Sequence, residues 1–172
     1  MTLKNPLTDK FKTNTSTSSE RNANVYSFMS HHPICVLCMV GEDNMPHSVV
    51  VYYSVDQEFN ITFTTKSETK KVKSLDNNQN VQIVVYEPSL QTLVQVTGVA
   101  TKITDKEKMG GVLRRTKNSA EHLSISGVAP IEKLLAGEHV MYLVRPSLIS
   151  MAVFARPDSG GYDDIYETIN FD

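Results

Sequence analysis

Between residues 20 and 30 the apolar side chains Val25, Phe28 and Met29 recur at helical spacing, and Pro33 stops that helix from running on. The period then changes. Residues 34–40 form a continuous apolar run closed by Gly41, Glu42, Asp43 and Asn44, which predicts a strand followed by a turn. A second strand is predicted over 47–55, with Asp56, Gln57 and Glu58 as the next turn. Over 59–65 the alternation puts Phe59, Ile61 and Phe63 on one face and Asn60, Thr62 and Thr64 on the other. Residues 67–77 break that alternation and carry only a thin helical stripe of Val72 and Leu75. Strands return at 81–86 and 90–102, separated by a turn at Pro88. Thr104 or Asp105 suits the cap of a helix running to about 117, which Gly110 and Gly111 weaken. Residues 118–129 read as loop, and 131–135 as one helical turn stopped at Gly137. A last strand pair is predicted at 140–144 and 148–154, hinged at Arg145 and Pro146, with an edge strand over 165–171.

The pattern therefore predicts a mainly β fold of six to seven mostly antiparallel strands with short helices between them. Apolar residues on both faces of 81–86 point to a closed barrel whose outside is covered by helices or by a partner chain. Residues 1–19 include the polar run Thr13, Asn14, Thr15, Ser16, Thr17, Ser18 and Ser19, which reads as a flexible tail. Residues 20–172 then form a single domain.

Composition narrows the function. At 172 residues, with 40% hydrophobic and 21% charged side chains, the chain is an ordinary globular domain. No apolar run reaches the roughly 18 residues of a membrane span. Seventeen basic against nineteen acidic residues give a net charge of −2, which favours neither nucleic acid nor an anionic membrane. Cys35 and Cys38 are too few for a disulfide scaffold and fit a reducing compartment, with the cytoplasm as the default. Their C-x-x-C spacing lies on a predicted strand, where residues three apart face opposite sides, so both read as buried structural thiols rather than a redox pair. His31, His32, His47, His122 and His139 show no metal-ligand spacing, and the chain has neither a nucleophile elbow nor a P-loop.

The most specific local feature is the junction Phe63, Thr64, Thr65, Lys66, Ser67, Glu68, Thr69, Lys70, Lys71. A helix start presents unpaired N–H groups and a positive dipole end, so a strand-turn-helix junction ringed by Lys66, Lys70, Lys71 and Lys73 suits one phosphate. Ser67 is the expected cap, and Glu68 opposes a bound anion unless it turns away. A solvated lysine-rich helix face explains the same residues.

The segments MPHSVVVYYSVD, FNITFTTKSETKKVKSLDNNQNVQIVV and LVQVTGVATKI, in this order, resemble the pyridoxamine phosphate oxidase-like family of flavin-binding split barrels, in its general stress protein-like branch. The resemblance implies a dimeric split barrel with a flavin in a groove between subunits. It implies that Lys70 and Lys71 hold the FMN phosphate with help from Thr64 and Thr65, and that Ser48, Val49, Val50 and Val51 line the ring. Deazaflavin, haem and FAD are the alternative cofactors. Ser48 stands where oxidases of the family often carry arginine, and Leu93 where they often carry glutamine, with Gln95 two residues on. There is no tryptophan, and the carboxyl-terminal arginine-x-histidine is missing. The implied function is thus an FMN-dependent oxidoreductase using a pyridine nucleotide or another small molecule, rather than vitamin B6 oxidation. A non-catalytic flavin binder or stress sensor is the alternative.

Overall fold

The structure is a computed structural model that describes residues 17–120, 138–154 and 165–171. Most of the predicted tail, the loop at 121–129 and the helical turn at 131–135 lie outside the described residues. Among the described residues, seven strands run antiparallel in the order β3-β2-β1-β4-β5-β6-β7, and an additional β3–β6 pairing closes the first six into a barrel. They are β1 (Ile34–Val40), β2 (Pro46–Val55), β3 (Ile61–Lys66), β4 (Asn80–Glu87), β5 (Thr92–Ile103), β6 (His139–Val153) and β7 (Tyr166–Asn170). Leu37, Tyr53, Ile61, Phe63, Ile83, Val94, Val96, Val144 and Ile149 fill the interior. The split-barrel class predicted for the chain is the fold observed.

Among the described residues, three helices decorate the barrel. The first, α1 (Ser18–His31), starts with a capping box in which Thr17 Oγ1 accepts from the Glu20 amide and the Glu20 carboxylate accepts from the Thr17 amide. The bonds that the Thr17 amide and the Thr17 hydroxyl donate to it hold the exposed Glu20 carboxyl below its ordinary range. Ser18 and Ser19 thus belong to the helix and not to the tail. The buried side chains of α1 are Val25, Phe28 and Met29, the stripe that predicted it. The second helix, α2 (Lys70–Asn77), packs Val72 and Leu75 over one end of the barrel. The third, α3 (Lys106–Ala120), lies against β2 and β3 and runs past its expected end at residue 117.

Several expectations change. The predicted pair 140–144 and 148–154 is one continuous strand, β6, which pairs with β5 along almost its whole length. Its first part also pairs with β3 and its second part with β7. The register slips between Thr97 and Gly98, whose partners are Leu148 and Pro146, so Ser147 is the extra residue and the strand bends at a bulge beside the proline instead of ending there. Gly98 permits this bend, because a Cβ there would stand 2.3 Å from the Arg145 carbonyl oxygen. Both faces of β3 are buried, since α3 covers the threonine face; there Ser54 and Thr62 hydroxyls lie 2.8 Å apart, with Thr116 of α3 beside them. Phe59, expected inside that strand, precedes it with φ at +61°. Cys35 is buried and its thiol is pushed up by desolvation, whereas Cys38 is only half-buried on the outer face.

Candidate functional site at the split of the barrel

The barrel ladder is incomplete at one place. β2 pairs with β1 from Pro46 to Tyr52, but with β3 only at Tyr53, Ser54 and Val55. Beyond Phe63, β3 leaves β2, and Thr64, Thr65 and Lys66 pair with β6 alone. Among the described residues no strand pairs with the other edge of β2 before Tyr53. The Tyr53 amide donates to the Pro33 carbonyl at 3.0 Å, on the β1 side. Strand alternation therefore turns the main-chain groups of Ser48 and Val50 to the open edge. A gap with unused backbone donors and acceptors along one wall results.

Helix α2 starts at the end of this gap. Its N-cap is Thr69, not Ser67, because the Ser67 hydroxyl donates to the Glu138 carbonyl and is spent there. Thr69 makes no side-chain cap bond; its hydroxyl donates to the Lys66 carbonyl at 3.0 Å. The first-turn amides of α2 therefore have no hydroxyl acceptor from the cap. Lys71 Nζ donates to Thr65 Oγ1 at 2.8 Å, and Thr65 Oγ1 lies 3.4 Å from Thr69 Oγ1. Since Thr65 accepts from the lysine and Thr69 has already given its proton to the Lys66 carbonyl, the Thr65 hydroxyl is the donor in its contact with Thr69 Oγ1. Burial holds the Lys71 ammonium below the usual lysine range. One cation, the Thr65 hydroxyl, whose proton can turn from Thr69 to an anion, and a helix start thus converge on a half-buried point, the kind of donor set that a phosphate requires.

The predicted site residues divide accordingly. Thr65 and Lys71 come together. Thr64 does not join them, because adjacent strand residues face opposite sides; its side chain is buried, and its hydroxyl finds no protein partner. Lys70 sits one helix position from Lys71, about 100° round the axis, and lines a separate cleft with His47, Lys73 and Ser74. Ser48 donates its hydroxyl to Cys38 Sγ at 3.4 Å. Val49 and Val51 turn inward, while Val50 is 66% exposed. Gln95 stands on β5, opposite Val84 and Ser150, three strands from β2 and hence about 14 Å away across the sheet. Thr69 was among the hydroxyls expected at the phosphate junction, whereas His47 and Ser74, which line the separate cleft, were not singled out as site residues.

The pyridoxamine 5′-phosphate oxidase family model matches residues 22–142. The chain belongs to that family. Its match covers the split, α2 and the whole Thr65–Lys71 cluster. Among solved structures, general stress protein 26 of Bacillus anthracis is 18% identical, with a TM-score of 0.62 over 88% of this chain and 98% of that one. A heme binding protein of Mycobacterium smegmatis is 12% identical, with a TM-score of 0.66 over 90% of this chain and 59% of that one. An F420 reductase is 19% identical, with a TM-score of 0.57 over 72% of this chain and 93% of that one. At these identities the likeness is one of fold. No curated protein matches the sequence. No helix among the described residues is long and apolar enough to cross a membrane, and no metal-binding cluster is found among them.

Proposed function

We propose that this family member binds FMN in the gap between β2 and β3 and acts as a flavin-dependent oxidoreductase on a small molecule. The observation that carries the reading is the convergence of Lys71, Thr65 and Thr69 at the end of the unpaired β2 edge. Lys71 and the Thr65 hydroxyl would hold the phosphate, with the first turn of α2 behind them. The main-chain groups of Ser48 and Val50 would meet the polar rim of the ring, as a missing strand would. A bound flavin supplies the hydride chemistry itself, so the chain has to position it and exclude water from it.

The reading includes a second copy of the chain. Val50, Val36, Val84 and Gln95 form one cross-strand row on the outer face, and Ile34 and Tyr86 extend it as exposed apolar groups. A monomer leaves that row in water, and a homodimer would cover it and bring Gln95 to the other chain's gap.

The absorption spectrum of the freshly purified protein tests the cofactor directly. Flavin bands are expected; a Soret band or a deazaflavin spectrum would overturn FMN. Titration sharpens the result, because Lys71→Ala should weaken FMN by about 10- to 100-fold while leaving riboflavin unchanged. Equal loss for both ligands places the phosphate elsewhere.

A further inference from the structure

Lys70 and Lys71 are neighbours in sequence and diverge in space, and what Lys70 faces has not been used by the flavin phosphate. It lines a cleft of about 450 Å³ between α2 and the β1–β2 turn, within the roughly 300–1,000 Å³ range of small-molecule sites. Lys70 and Lys73, three residues apart on one helix face, form its basic wall. His47 completes that wall: its Nδ1 lies 3.5 Å from Ser74 Oγ, and Ser74 has already given its proton to the Lys70 carbonyl. Ser74 can therefore only accept, so in this contact His47 Nδ1 is the donor.

The opposite wall is acidic and apolar. Asp43 Oδ1 accepts from the Met45 amide, while the exposed Glu42 carboxylate has no protein partner among the described residues. Met45, 62% exposed, and Pro46 give the apolar floor. The turn that carries them is fixed. The Gly41 amide donates to the Met45 carbonyl at 2.9 Å, and a Cβ on Gly41 would stand 2.7 Å from Asp43 Oδ1. Although lysines and carboxylates face one another, no ion pair joins them, so the cleft holds its charges apart.

Cations on one side, a carboxylate on the other and an apolar floor match the three parts of an adenylate. We infer that this cleft takes an adenosine 5′-phosphate group: the phosphate on Lys70 and Lys73, the ribose diol on Glu42, and the base against Met45 and Pro46. A carboxylate accepts well from vicinal hydroxyls and poorly tolerates a second phosphate, which sets the direction of the ligand. The inference rests on the flavin reading of the adjoining Lys71 cluster. The adenylate is then either the second half of a flavin dinucleotide or the adenosine half of a nicotinamide dinucleotide.

The test compares FMN, FAD and ADP-ribose binding by the full chain and by Lys73→Ala and Glu42→Gln, by calorimetry and flavin fluorescence. If the source is the flavin, FAD binds about tenfold tighter than FMN, and each variant abolishes that preference while changing FMN affinity less than about twofold. If the source is a nicotinamide dinucleotide, FAD and FMN bind alike, and the FMN-loaded protein binds ADP-ribose with an affinity each variant lowers about tenfold. Equal FAD and FMN affinities without ADP-ribose binding overturn the inference and leave the FMN reading standing. Failure of every flavin to bind overturns the FMN reading instead, and ADP-ribose binding to the flavin-free protein then decides the cleft.

Discussion

β2 and β3 meet along one half of their contact and part along the other. In the paired half, at 53–55 and 61–63, every side chain except the half-buried Val55 is buried, and the Tyr53 hydroxyl donates to the Met29 carbonyl of α1 at 2.8 Å. Phe63 stacks on Tyr142 with ring centres 5.3 Å apart. In the parted half, Thr65 and Lys71 face the gap, and β2 offers an unpaired edge. The two halves share strands and even residue types, Thr62 and Thr64 lying two positions apart on one face. What separates them is the helix that follows β3: α2 needs the space that continued pairing would close. The lesson is that the place where the ladder is given up is also where ligand-binding chemistry collects, because it alone combines main-chain groups in need of partners with a cation held short of full hydration.

The sharpest break of this contrast lies in the closed part of the barrel. Gly98→Ala forces a Cβ against the backbone of β6, and the expected cost is on the order of 3 kcal/mol or more, read by urea unfolding. A change under about 1 kcal/mol would show that the bulge absorbs the methyl group and is not tightly set.

A change in the open half should do the reverse. The folded chain holds Lys71 below its ordinary value, so between that value and 10.5 the unfolded chain binds more protons. Stability of the flavin-free protein contributed by this group therefore rises with pH through that window. Lys71→Met should remove that rise and lift the flavin-free Tm by roughly 2 °C at neutral pH, while losing FMN phosphate binding. A lower Tm would mean that the lysine stabilises the empty gap.

The smallest effect belongs to Tyr142, at the border of the two halves. Its ring is buried, its hydroxyl has no protein partner, and burial with the nearby Asp76 carboxylate pushes its proton affinity up to about 12. Between about 10 and 12 the folded chain keeps a proton that the unfolded chain gives up, so here stability falls as pH rises. Tyr142→Phe should be neutral, or stabilising by about 1 kcal/mol, and should remove the Tyr142 share of that fall in an alkaline denaturation series, leaving the share of Tyr53, which burial also pushes up. A clear loss of stability at neutral pH would reveal a hydrogen-bond partner for the hydroxyl.

The strands were legible because their burial alternates, and α1 because Val25, Phe28 and Met29 mark one face. Thr65 and Lys71 were legible because a strand meets a basic helix start in seven residues. Arg145 and Pro146 misled in the way punctuation residues do, since the glycine that lets the strand bend through them lies on β5, far off in the chain. The facing of Thr64 was fixed by the pleat, yet the register that reveals it is set by pairing with β6. Ser67 lost its capping role to Glu138, a residue about seventy positions away, and no local pattern reports such a competitor.

β6 carries one more implication. From Met141 to Val144 it lies between β3 and β5, and from Leu148 to Ala152 between β7 and β5. These two stretches are thus flanked on both sides, so exchange of their amides with solvent deuterium cannot proceed by fraying at an edge. The barrel and its seventh strand are wired through a single backbone, and that backbone is released only when the whole domain opens.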